Sequence, residues 1–224
     1  GSGKSTLMKL LCGVYTPTEG EILINGKSLG GCKTQDVRRI FAVLFQDYYM
    51  FPFSIRDNIT MFDGDAQTEA DAKSLVELFE LKGRIEALKS GYATGIKGEY
   101  CDDYTDLSGG ELQKLAIIRA FCKRESEVLL LDEPLNNVDL KSENSFYDLV
   151  LNDRRTTILI SHSLKIAPHV QTILYMQDGR LIANGAHEAL LETSPAYKAF
   201  YDEFIKKYFK ESAARPASPE DAAE

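Results

Sequence analysis

Apolar residues along this chain follow two rhythms, short unbroken runs and helically spaced singles, and the two alternate. The unbroken runs are Phe41–Phe45, Val128-Leu129-Leu130-Leu131 and Thr157-Ile158-Leu159-Ile160. Such runs predict strands covered on both faces, as in a parallel sheet flanked by helices. Leu140–Leu151 predicts a helix between the last two runs, making a β-α-β unit. Residues 5–12 predict a helix with Leu7, Leu10 and Leu11 on one face, ending at Gly13. Glu21–Ile24 reads as a short strand leading into an Asn25-Gly26 turn. From about Ile55 to Arg124 the character is helical. There Thr68 caps a helix over Glu69–Leu81, whose Leu75, Leu78 and Phe79 share a face, and a second helix runs from about Gly109 to Cys122. Ile173–Met176 and Arg180–Ala183 flank an Asp178-Gly179 turn, which predicts a hairpin. Residues 196–210 predict an aromatic-studded helix, and the Ala/Pro/Glu-rich last dozen have the composition of disorder.

Composition then limits what such a chain does. Its 224 residues suffice for one α/β domain with a small appended subdomain. Hydrophobic residues at 44% and charged residues at 27% are a globular profile. A net charge of −8 argues against nucleic acid as a main partner. No apolar run approaches the length of a bilayer span. Cys12, Cys32, Cys101 and Cys122 are scattered without a C-x-x-C pair, so neither a disulfide framework nor a zinc site is expected. The chain opens on Gly1-Ser2-Gly3-Lys4 without an initiator Met and reads as an excerpt.

Gly1-Ser2-Gly3-Lys4-Ser5-Thr6 fits the end of G-x-x-x-x-G-K-[ST]. Glycines let successive backbone N–H groups curl round a phosphate, and the helix that follows directs its positive end at the anion. In that role Lys4 bridges the β- and γ-phosphates of a nucleotide and the Ser5 hydroxyl binds Mg²⁺. A flexible Gly-Ser-Gly lead-in to a helix is the plainer reading of the same residues.

Asp132-Glu133-Pro134 follows the apolar run that ends at Leu131, and carboxyl ends of parallel strands are where α/β proteins bind ligands. Asp132 is placed to hold Mg²⁺, and Glu133 to orient and polarise an attacking water. A solvated acidic turn closed by Pro134 is the weaker alternative.

Leu107-Ser108-Gly109-Gly110-Glu111 precedes the Gly109–Cys122 helix. Ser108 and Glu111 make an S-x-x-E capping box. A cap does not require two glycines in the first turn, where each costs about 0.5–1 kcal/mol against alanine. They point to a close approach at the helix N-terminus, which a phosphate fits.

Leu107–Glu111, with Glu where Gln is usual, resembles the signature of ATP-binding-cassette (ABC) proteins. With the partial phosphate loop and the Asp-Glu pair in that order, the resemblance spans about residues 1–195. It implies a P-loop ATPase core with a mostly parallel sheet flanked by helices (residues 1–54 and 125–195). A helical subdomain carrying the signature is inserted at 55–124, and 196–224 hold a C-terminal helix and tail. It also implies a head-to-tail dimer, with identical or different partners, in which Ser108, Gly109, Gly110 and Glu111 of one cassette cap ATP bound by Gly1–Thr6 of the other. Gln46 matches the glutamine that contacts Mg²⁺ and the nucleophilic water, His162 the histidine at the γ-phosphate, and Asp139 the loop communicating across the dimer. Asp139 equally suits an N-cap, while His169 and His187 read only as satisfied structural histidines.

Three stretches resemble the exporter branch: Phe45–Asp47 with Ser54–Ile59, Thr94–Glu99, and Gly185–Leu191 with Tyr197. That resemblance implies a transmembrane domain fused upstream, a place on the cytoplasmic face of a membrane (the inner or plasma membrane in a bacterium), and upstream first strands and adenine-stacking residue. Asn136–Val138 depart from the usual Ser-Ala-Leu, and the Thr94–Glu99 loop has one extra residue. A non-transport ABC ATPase, a regulatory nucleotide-binding subunit and a small-molecule kinase are the alternatives. The first needs a second cassette or long heptads, the second loss of Glu133 or His162, and the third leaves Ser108–Gly110 unexplained.

Overall fold

The computed structural model describes residues 2–62, 64–98 and 103–214, and of 209–214 the backbone alone. Gly1, Glu99, Cys101 and residues 215–224 of the tail, all of which carried expectations, lie outside the described residues. Residues 4–161 form one compact unit; residues 2–3 and 162–214 belong to a second.

In the first unit, α1 (Lys4–Leu11) turns Met8 into the core. A small hairpin follows, β1 (Leu23–Ile24) against β2 (Lys27–Ser28), so only the end of the expected Glu21–Ile24 strand pairs. Helix α2 (Thr34–Ile40) buries Val37 alone, too faint a stripe to read from sequence, and runs directly into β3 (Phe41–Leu44). Beyond a loop lie α3 (Ile55–Thr60), α4 (Ala66–Leu78) and α5 (Lys82–Glu86).

Helix α4 corrects the sequence reading. Its cap is Asp65, whose carboxylate accepts from the Thr68 amide at 2.6 Å. Thr68 lies inside the first turn and is itself buried. The buried stripe is the four-residue ladder Thr68, Ala72, Val76, with Phe79 after it; Leu78 is 40% exposed. A further correction is the parallel pair β4 (Gly95–Ile96) and β5 (Tyr104–Thr105), which interrupts a stretch expected to be helical.

Helix α6 (Gly109–Cys122), β6 (Val128–Asp132), α7 (Leu140–Asn152) and β7 (Thr156–Ile160) complete the unit. The sheet order is β3-β6-β7, all parallel, with Leu44 opposite Leu131 and Asp132 opposite Ile160. Central β6 has Leu129, Leu130 and Leu131 at 0% exposure, and each such leucine contributes about 1.5–3 kcal/mol. Leu130 packs in one cluster with Met8, Cys12, Val37, Phe41 and Ile160. Parallel register brings the carboxyl ends of all three strands to one edge. Polar residues lie past that edge: Glu133 and Ser161 directly after β6 and β7, and Gln46 after β3 and Phe45.

In the second unit β8 (Ile173–Gln177) pairs antiparallel with β9 (Arg180–Gly185) around the Asp178-Gly179 turn, as expected. Helices α8 (His187–Thr193) and α9 (Pro195–Ala214) follow. His187 Nδ1 lies 2.8 Å from the Tyr197 hydroxyl and both residues are buried, which gives His187 its structural role. Burial pushes the Tyr197 hydroxyl up to about 12, so it stays protonated at neutral pH. Among the described residues no helix is long and apolar enough to cross a membrane.

Candidate functional site

Helix α1 and two strand ends enclose a cavity of about 400 Å³, lined by Ser5, Lys9, Gln46, Asp47 and Asp132. Ser5 and Lys9 are four residues apart on α1 and so share a face. Gln46 and Asp47 arrive just beyond β3, and Asp132 is the last residue of β6. Asp132 is 2% exposed, and its Oδ1 has no hydrogen-bond partner. Burial holds the Asp132 carboxyl above the ordinary range and the Glu133 charge adds to this; the Ser5 hydrogen bond and the Lys4 and Lys9 charges oppose it. A buried carboxylate oxygen left without a partner is costly. The oxygen donors lining the cavity are a hydroxyl, an amide and two carboxylates. That set fits Mg²⁺, which takes oxygen ligands and relies on substrate phosphates for others.

Glu133 follows with φ +49°, a left-handed conformation uncommon outside glycine. Its backbone N–H donates to Ile160 O at 3.0 Å, and Asn136 Nδ2 donates to Glu133 Oε2 at 3.3 Å. Lys4 opens α1, and its charge acts on Asp132. Thr6 is exposed on the same helix. Ser2, Gly3 and His162 belong to the second unit. There Gly3 holds φ +89°, Ser2 O accepts from the Gly179 amide at 3.2 Å, and His162 is exposed.

The N-terminus of α6 is built as expected. Glu111 N–H donates to Ser108 Oγ at 3.3 Å, and Ser108 N–H to Glu111 Oε2 at 2.7 Å, which closes the capping box. The two glycines have different reasons. A Cβ on Gly109 would meet nothing within 4 Å, and the residue is exposed. A Cβ on Gly110 would stand 2.6 Å from Asn137 O, so that glycine serves packing within the chain. Ser108–Glu111 do not line the cavity around Asp132. Asp139 takes the expected N-cap place, capping α7 by accepting from Ser142 N–H at 2.9 Å, and it also pairs with Lys114 of the same chain at 2.6 Å.

The segment after Gln46 is fastened to α6 by groups the sequence did not mark. Tyr48 donates to Gly109 O at 3.3 Å. Asn58, fully buried, accepts from Phe51 N–H at 2.8 Å and donates to the carbonyls of Phe51, Phe53 and Ser54. Arg119 donates to Asn58 O at 2.6 Å and Tyr49 O at 2.9 Å, with its guanidinium 5.5 Å from the Phe51 ring centre. Around this segment Tyr49, Phe53, Met61 and Phe62 are exposed.

A family model described as "ABC transporter" matches residues 1–136. The chain belongs to the ABC transporter family. It is 34% identical over 201 residues to the lactococcin transport/processing ATP-binding protein LcnC-like of Lactococcus lactis subsp. lactis, covering 90% of this chain and 27% of that protein. It is also 34% identical to the mycobactin import ATP-binding/permease protein IrtB of Mycolicibacterium smegmatis, over 90% of this chain and 34% of that one. Among solved structures, a bacterial Atm1-family ABC exporter with ATP bound matches 97% of this chain and 36% of its own. The TM-score is 0.77 at 30% identity. This ABC chain thus spans roughly a quarter to a third of the length of these relatives. The P-loop α/β fold with its helical insertion, read first from motif order, is the fold of that family.

Some of the site's residues were missed. Lys9 was findable, since helical spacing from Ser5 places it on the same face. Asp47 is next to Gln46 in sequence. Gln113 and Arg119 carry no local signal, because their partners are backbone groups distant in sequence, and Asn58 bonds irregular backbone just before its own helix, which has no periodic pattern.

Proposed function

We propose that the chain is the motor of a membrane exporter, binding MgATP between two cassettes arranged head to tail and hydrolysing it to drive a transmembrane domain. The observation that carries this is the buried, unpartnered Asp132 oxygen facing a cavity shared with Ser5 and Gln46. Those three residues would hold Mg²⁺, which when bound neutralises charge on the β- and γ-oxygens of the nucleotide.

Lys4 and the amides around Gly3 bind the phosphates, and the phosphate-facing end of α1 is the positive end of a helix. Glu133, one residue past Asp132, orients the water that attacks the γ-phosphorus in line and accepts its proton as the bond to the bridging oxygen breaks. The amide of Gly109, with Ser108 beside it, caps the γ-phosphate held by the other cassette, and His162 contacts that group in its own cassette. Loss of the γ-phosphate removes what both cassettes grip, and the pair opens. The exposed Tyr49, Phe53, Met61 and Phe62 beside the Gln46 segment form an apolar patch suited to docking a membrane domain. This reading places the chain at the cytoplasmic face of a membrane. The names of the relatives, transport and permease proteins, support it.

The test is Glu133→Gln in the intact protein. We expect nucleotide binding to persist, turnover to fall by about 100-fold or more, and ATP to stabilise a two-cassette species on size-exclusion chromatography. Turnover close to the parent protein overturns the role of Glu133.

A further inference from the structure

The loop that carries Glu133 does not hold its shape alone. It leaves the sheet in a left-handed turn at Glu133 and runs through Pro134 and Asn137 to the α7 cap at Asp139. One side chain outside the loop grips it at both ends. Gln113, on the second turn of α6 and 4% exposed, donates from Nε2 to Pro134 O at 2.6 Å and lies 3.5 Å from Glu133 O. Its Oε1 accepts from the Asn137 N–H at 3.1 Å. Donor and acceptor of one buried amide are thus spent on three residues of one loop. The helix approaches closely enough to do this because Gly110 has no Cβ to strike Asn137 O.

We propose that Gln113 is a positioning residue for Glu133: its amide clamps the loop from Glu133 to Asn137 onto the signature helix and so fixes where the Glu133 carboxylate points. The proposal rests on Glu133 acting on the attacking water as read above. Asn136 completes the clamp from the exposed side, its Nδ2 donating to Glu133 Oε2. It stands where the family usually has serine, a departure left without a purpose by the sequence. The arrangement also ties Glu133 to the same helix whose first turn meets the partner cassette's nucleotide. A displacement of that turn reaches the carboxylate through one rigid amide.

The experiment compares Gln113→Met, Asn136→Ala, Glu133→Gln and the Gln113→Met/Glu133→Gln double variant in the intact protein. It reads steady-state kcat and KM for ATP, binding of a fluorescent ATP analogue, and melting temperature. A misplaced reacting group costs on the order of 10- to 100-fold. We expect Gln113→Met to lower kcat by about that factor with KM and analogue binding within about twofold. Asn136→Ala, exposed and neutral to folding, should lower kcat by a smaller factor at unchanged melting temperature. In the Glu133→Gln background Gln113→Met should remove no further activity, since both act through one carboxylate.

A kcat for Gln113→Met equal to that of the parent overturns the proposal, as does an equal fractional loss in both backgrounds. If Gln113→Met does not fold, Asn136→Ala decides, and an unchanged kcat there counts against the clamp. If Glu133→Gln itself turns over normally, the reading of Glu133 fails instead of the clamp.

Discussion

The Lys114 ammonium lies 2.6 Å from Asp139 Oδ2, and the same carboxylate caps α7 through Ser142, so one acid joins two helices. Partial burial pushes the Asp139 carboxyl upward, but hydrogen bonds from Lys114 and Ser142 and the Lys114 charge outweigh it. They hold the group well below the ordinary carboxylate range. A depressed acid contributes stability that is complete above its unfolded value and is lost as pH falls through the folded one. We therefore expect the urea midpoint of the parent protein to drop below about pH 4 more steeply than that of Asp139→Asn. Asparagine keeps the cap and lacks the charge. Parallel curves for the two proteins would refute the assignment.

Gly109 and Gly110 should separate under the same substitution. Alanine at Gly109 meets open space and improves helix propensity, so Gly109→Ala should be neutral or stabilising by up to about 1 kcal/mol. It should nonetheless weaken ATP-driven association of cassettes. Alanine at Gly110 meets Asn137 O and should destabilise by about 1–3 kcal/mol. Thermal melts with and without ATP distinguish the two; a reversed order of stabilities counts against the packing described.

Asp132 sets function against stability. Its carboxyl is raised chiefly by burial, so the folded protein binds a proton that the unfolded chain has released. Without nucleotide or Mg²⁺, stability should fall as pH rises from the ordinary aspartate value near 3.8 through the raised one. Asp132→Asn should lose that slope, melt higher in the apo state at neutral pH, and lose Mg²⁺-dependent turnover. An apo melting temperature lower than the parent's would show that the buried charge is already compensated.

Arg119 is largely buried, and burial lowers its guanidinium from the usual value. It holds Tyr49 O, Asn58 O and Asn58 Oδ1 from one planar fork. Lysine offers a single ammonium and cannot reproduce that geometry. Arg119→Lys should raise amide hydrogen exchange across residues 49–58 while leaving β6 and β7 protected. Unchanged exchange in the 49–58 segment would contradict the role given to the fork.

Elements with a self-contained signal were legible from sequence. The leucines of β6 announce a buried strand, and Ser108 with Glu111 announces a helix start, because each depends on neighbours within a few residues. Helix α2 was invisible, since a single buried Val37 makes no stripe. The cap of α4 was placed at Thr68 rather than Asp65 because both residues are competent caps and only the packed register, Thr68-Ala72-Val76, chooses. At the site, Lys4, Ser5, Asp132 and Glu133 stood out by motif order. Gln113 did not, for an amide buried against distant carbonyls leaves no periodic trace; nor did Asn58, whose nearby partners lie in irregular backbone.

Asn58 carries a mechanical consequence. Its amide ties three carbonyls and one N–H of an irregular stretch to helix α3, and Arg119 ties α3 onward to α6. Loops usually absorb an applied displacement by bending. This one is stiffened like a lever arm, so a load at Phe53 passes through Asn58 and Arg119 to the last turn of α6.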